Sequence, residues 1–247
     1  MIILRYFGIL GALMMSLSIT ACADDFKRPP EKDVFEDKQV VALAKAACQG
    51  QVDKVKALAE AGVDVNTPSV DGGNVLVWAL ACKNLAGTKA LLRHGANPNA
   101  LIRNGYTPVL FVGHFDDVRF LEALLDYGGD VNAYNDVNKF DTVLQRTFAY
   151  GVHKEYWEPY HLLINRGVNY DKETEISESS FLEFICGVYA RFGEAERLFD
   201  LGFDGDLDAL IKTVETVYED SLLENAKQGR TQFLKKLYAV KDLQDSE

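Results

Sequence analysis

The feature that most constrains this 247-residue chain is a short segment that returns at a fixed interval. Gly62-Val-Asp-Val-Asn66, Gly95-Ala-Asn-Pro-Asn99 and Gly128-Gly-Asp-Val-Asn132 begin 33 residues apart, and looser copies follow at Gly167 and Gly202 after 39 and 35 residues. A period of this length means one supersecondary unit used repeatedly, each unit burying its apolar face on its neighbours. Each glycine follows an amphipathic run, such as Val55-Lys-Ala-Leu-Ala-Glu-Ala61 or Phe120-Leu-Glu-Ala-Leu-Leu-Asp-Tyr127, and so sits where a helix ends in a left-handed residue. A second helical pattern lies upstream, at Val41 to Gly50, Val75 to Cys82 and Thr107 to His114. Turn signals separate the units: Asp71-Gly72-Gly73 and Asn104-Gly105-Tyr106-Thr107-Pro108.

Helix, tight turn, helix and hairpin-like loop at this period resemble the ankyrin repeat. Asn104-Gly105 followed by Thr107-Pro108 is similar to the family's Asp-Gly-x-Thr-Pro-Leu-His opening, with Val109-Leu110 in place of Leu-His, so the histidine that braces that turn is missing. The resemblance runs from about Lys38 to Val240 and is strongest in the first three units. It implies an all-α ankyrin-repeat solenoid of about six helix-turn-helix repeats with an irregular C-terminal half. In the fourth unit, from Asp141, the spacing from Gly151 to Gly167 is 16 residues against 12 from Gly50 to Gly62, which predicts a longer turn between its helices. The fifth runs from Ser180 to Leu201. After a further helical stretch at 207–219, the last unit is expected as Leu222 to Gly229 and Phe233 to Tyr238, with polar outer positions suited to a terminal cap.

The N-terminus carries Arg5, then the uncharged run Tyr6 to Ile19, then Thr20-Ala21-Cys22, the layout of a signal peptide over 1–21. Ile19-Thr20-Ala21-Cys22 resembles the lipobox of bacterial lipoproteins, which implies lipidation at Cys22; several acyl chains, at about 0.8 kcal/mol per buried CH₂, would hold the protein on a bilayer. Residues 22–37, charged and proline-containing, read as a tether, 38–240 as the repeat domain and 241–247 as a polar tail. Ala23, where enteric lipoproteins retained at the inner membrane carry aspartate, favours the periplasmic side of the outer membrane. The other cysteines are Cys48, Cys82 and Cys186. Either all three are small buried apolar residues, or Cys48 and Cys82 join neighbouring repeats, a choice that needs geometry.

A formal charge of −11 opposes the nucleic-acid backbone. The sequence has no His-Glu-x-x-His, no Cys-x-x-Cys and no phosphate-binding glycine loop, so no catalytic residue, metal site or cofactor is assigned and the chain is read as a binding protein rather than an enzyme. The enzyme alternative would need a cleft at 141–171 built on His153 or His161. For partner binding, the apolar or aromatic loop residues are Leu101, Ile102, Tyr106, Tyr134 and Phe140; the first helices add Phe115 and Tyr150, and the inserted segment adds Trp157. Packing against the neighbouring repeat competes as a reading for each. A lipid-anchored ankyrin protein without chemistry resembles the immunity proteins encoded beside phospholipase toxins delivered by type VI secretion. That resemblance implies a phospholipase effector as protein partner, a scaffold for an envelope or stress-response protein being the alternative. The unbound protein is expected to be a monomer.

Overall fold

Short polar residues start most of the helices. Asn74 accepts a hydrogen bond from the Val77 N–H at 2.8 Å, Asn84 from Gly87 at 2.9 Å and Thr107 from Leu110 at 3.2 Å, each satisfying a donor that the first helical turn leaves open. Thr142 with Gln145 and Ser180 with Glu183 form reciprocal capping boxes. The computed structural model describes residues 33–138, 141–170, 180–217 and 222–246. Its helices pair in chain order. In the compact unit Pro29–Asn169, α1 (Lys38–Cys48) pairs with α2 (Val52–Glu60), α3 (Val75–Ala81) with α4 (Leu85–Arg93), α5 (Pro108–Phe111) with α6 (Val118–Asp126), and α7 (Val143–Lys154) with α8 (Glu158–Asn165). In the unit containing Tyr170–Glu247, α9 (Phe181–Tyr189) pairs with α10 (Phe192–Asp200) and α11 (Leu207–Thr216) with α12 (Glu224–Gln244). The described residues are therefore all-helical in six helix-turn-helix pairs, with only isolated bridges at Pro68–Asn74 and Tyr134–Thr142.

The periodic apolar residues face inward. Leu43, Leu76, Leu91, Leu110, Leu124, Phe148 and Leu163 are fully buried in the first unit, as are Leu182, Phe192, Leu210 and Phe233 in the second. Each such side chain contributes about 1.5–3 kcal/mol by leaving water. The repeating glycine ends the second helix of five pairs: Gly62, Gly95, Gly128, Gly167 and Gly202 all have positive φ, and a Cβ there would meet nothing within 4 Å. The requirement is conformational, not spatial.

Two polar ladders tie neighbouring pairs together. In the first, Asn66 donates to the Gly95 carbonyl at 3.0 Å and accepts from the Asn97 N–H at 2.8 Å. Asn99 repeats this toward Gly128 and Asp130, and Asn132 accepts from the Asn169 N–H at 2.8 Å. The second ladder joins the finger loops through their backbones. The Val70 N–H donates to the Val34 carbonyl at 3.0 Å, Arg103 to Gly72 at 2.7 Å and Asp136 to Gly105 at 2.9 Å.

The geometry settles the cysteine question and moves several boundaries. Cys48 is joined to Cys82 across α1 and α3, their Cα atoms 5.3 Å apart, while Cys186 is free and buried, its thiol pKa pushed up by burial. Val34 and Phe35, placed in the tether by the sequence, are buried, and the Phe35 ring stands edge-on to Trp78 with centroids 6.0 Å apart. In the fourth pair the extra residues lengthen the first helix to 12 residues and leave a three-residue turn, correcting the expected longer turn. The last pair is α11 with α12, because α12 runs 21 residues straight through Gly229 and into the expected tail.

Candidate partner-binding surface

Three finger loops, at 67–74, 100–107 and 133–142, project between the helix pairs, and Lys139 and Phe140 lie outside the described residues. Their backbones alternate. Ser69 and Asn135 point inward and are buried, whereas Pro68, Leu101 and Tyr134, each 33 residues after the last, face outward. Asn135 holds the third loop in shape, its Oδ1 accepting from the Val137 and Asn138 N–H groups at 2.9 Å each. Gly105 is required beneath it, with φ +77 and a position where a Cβ would stand 2.6 Å from the Val137 nitrogen. Leu101 is 63% exposed, Tyr134 38%, and the flanking Val70 and Val137 are 65% and 77% exposed. Regularly spaced apolar side chains on a backbone-bonded platform are the surface here that a partner can cover.

The other expected contact residues divide. Ile102 and Tyr106 are half-buried. The Tyr106 hydroxyl accepts from Arg146 Nη2 at 2.6 Å, and the guanidinium sits 4.7 Å from the centre of its ring. Arg146 is itself held by Asp141, with Nε to Oδ1 at 2.5 Å. Burial works against the Arg146 charge, but its hydrogen bonds to Asp141 and Tyr106 and their fields win, and its pKa lies above the ordinary value. Beside this cluster, His114 is depressed to about 4 by burial and by the Arg146 charge, which outweigh the opposing pull of Asp141 and Asp116. It is therefore neutral at pH 7.

Phe115 and Tyr150 are corrections: both are buried, not presented. Phe115 packs edge-on between Phe111 and Phe120 with centroid distances of 5.6 and 5.5 Å, and the Tyr150 hydroxyl donates to the Asp116 carboxylate. Trp157 is half-buried, its ring 5.7 Å from that of Phe148 and 5.9 Å from that of Tyr160. Gly151 makes that packing feasible, because a Cβ there would come 2.5 Å from Trp157 Cε3. Tyr156 accepts from the Val118 N–H at 2.9 Å, at the start of α6, so the inserted segment is stitched into the stack. Val70 and Val137 were not singled out from sequence; the signal available was a valine inside an Asp/Asn/Gly turn, where solvent favours polar residues. Cys22 lies outside the described residues.

His153 and His161 are both exposed. Among the described residues no group of three or more His, Cys, Asp or Glu side chains is placed to hold a metal, and no helix is long and apolar enough to cross a membrane.

Residues 43–135 match the model of the ankyrin repeats family, in three copies. Ankyrin repeat and SOCS box protein 2 of Homo sapiens is 33% identical over 88 residues, which cover 32% of this chain and 13% of that protein. The ankyrin repeat protein YahD of Escherichia coli (strain K12) is 33% identical over 87 residues, 35% of this chain and 43% of the relative. The chain thus spans less than half the length of either curated relative. The crystal structure of the human ASB11 ankyrin repeat domain is similar in fold, with a TM-score of 0.50 at 23% identity over 77% of this chain and 82% of that one. The described residues are all-helical, and residues 43–135, which carry the three recognised ankyrin repeats, include the first two finger loops and Tyr134 of the third.

Proposed function

We propose that this chain is an exported, lipid-anchored binding protein that docks a partner protein on its finger platform, and that the partner is a secreted phospholipase toxin which it neutralises. The observation that carries the binding reading is the outward row of Leu101 and Tyr134, flanked by Val70 and Val137, on loops whose backbones are bonded to one another. Aromatic and aliphatic anchors held on a rigid support lose little entropy on binding, so a few of them supply most of the affinity. Export is supported by the signal-peptide and lipobox resemblance at 1–22, and by the Cys48–Cys82 bond, since such bonds persist in oxidising compartments. The phospholipase as partner rests on the resemblance to immunity lipoproteins.

The test is capture of the partner from native membranes followed by its identification, then titration with a platform variant. Replacing Leu101 by Asp, Tyr134 by Ala and Val137 by Ser is expected to weaken binding about a hundredfold or more with the helical circular-dichroism signal unchanged. Unchanged affinity rejects the platform. A purified partner lipase that keeps full activity under excess protein rejects neutralisation while leaving binding intact.

A further inference from the structure

Among the described residues the first helix pair has a helix-pair neighbour on one side only, and end repeats are where a stack of this kind opens most easily. Three links to the next repeat converge there: Cys48 to Cys82, the Phe35 ring on Trp78, and the Val34 carbonyl accepting from Val70. The last of these is also the first rung of the finger ladder. Cys48 and Cys82 are only half-buried, within reach of a thiol reagent, whereas Cys186 is buried in the other unit. Gly87 in α4 lets that helix press against the Ala47 backbone beside Cys48, so close helix packing adjoins the covalent bond.

We propose that Cys48 and Cys82, oxidised by exchange with a donor disulfide, lock the N-terminal repeat and the first finger onto the stack. The donor's disulfide is attacked by the thiolate of one cysteine, giving a mixed disulfide and releasing one donor thiol. The thiolate of the other cysteine then displaces the remaining donor sulfur. Two electrons and two protons pass to the donor, which leaves as a dithiol, and the chain retains the Cys48–Cys82 bond. Closing this loop removes conformations from the opened state of the end repeat, which is how the bond holds α1 in place.

The experiment uses the full chain purified from an oxidising compartment, cut by protease without reductant, with hydrogen exchange read with and without a phosphine reductant. A fragment linking Cys48 to Cys82 is expected, and on reduction α1 amides should exchange about a hundredfold faster while those of α7, α8 and the second unit stay unchanged. A doubly substituted chain, Cys48→Ala with Cys82→Ala, should match the reduced protein, and Cys186→Ala should match the oxidised one. Free thiols at Cys48 and Cys82 in the purified chain, or α1 exchange unaltered by reduction, overturn the proposal. Neither readout depends on a partner, so failure here is separable from failure of the binding proposal.

Discussion

At the scale of single residues, a half-buried cation organises the junction of the third and fourth helix pairs. Arg146 bonds Asp141 and Tyr106 at once, and burial, helped by its charge, keeps His114 neutral. Removing one partner of such a buried pair costs more than the pair itself is worth, because the other charge remains desolvated. Arg146→Ala is expected to destabilise the first unit by about 3 kcal/mol in urea unfolding. Both tryptophans, Trp78 and Trp157, lie in that unit, so their fluorescence reports on it alone. His114 gives a pH signature. Its pKa falls from 6.5 in the unfolded chain to about 4 in the fold. The unfolded state therefore binds the extra proton between these values, and the stability contribution, complete above about 6.5, is lost progressively as the pH falls towards 4. The loss is up to about 3 kcal/mol, and His114→Leu should flatten that part of the profile in urea titrations at pH 7 and pH 4.5.

At the scale of elements, the glycines separate two physical demands that look alike in sequence. Gly95 ends α4 with φ +88 in open space, so Gly95→Ala meets only the left-handed penalty, about 1 kcal/mol. Gly87 sits inside the same helix, where a Cβ would stand 2.6 Å from the Ala47 carbonyl carbon, so Gly87→Ala must push α1 away and should cost about 3 kcal/mol. Denaturation midpoints of the two variants check the order; equal shifts would refute the distinction. The period announced Gly95 because the residue recurs. Gly87 recurs nowhere, and its role depends on a neighbouring helix that no local pattern names. The same division runs through the candidate surface. Leu101 and Tyr134 were legible as apolar residues in turns, but Phe115 and Tyr150, read as presented by the first helices, are buried, Phe115 between the rings of Phe111 and Phe120 and Tyr150 with its hydroxyl on Asp116. The finger ladder is made by backbone groups and has no residue signature at all.

At the scale of the whole molecule, charge is unevenly placed. Residues 170–247 hold 18 acids and 9 bases, so most of the −11 belongs to the second unit, and the platform-bearing unit is close to neutral. A near-neutral surface with apolar anchors suits a partner recognised by shape and burial more than by charge. The lipobox reading makes a prediction at this scale: Cys22→Ser should move the protein from the membrane to the soluble fraction on cell fractionation, and persistent membrane attachment would refute lipidation at Cys22.

The finger rungs fall at Val70, Arg103 and Asp136, each donating to a residue of the preceding loop, with Gly72 and Gly105 as the later acceptors. Because donors and the later acceptors share the period, the finger rungs repeat by whole modules. Excising residues 73–105 would bring Gly72 to the place of Gly105, where it inherits the bond from Asp136, and the shortened row would still begin at Pro68 and end at Tyr134. Recognition length along the finger ladder is thus counted in discrete steps, whereas the helix packing beneath it, Gly87 on Ala47 and Cys48 bonded to Cys82, belongs to one step alone.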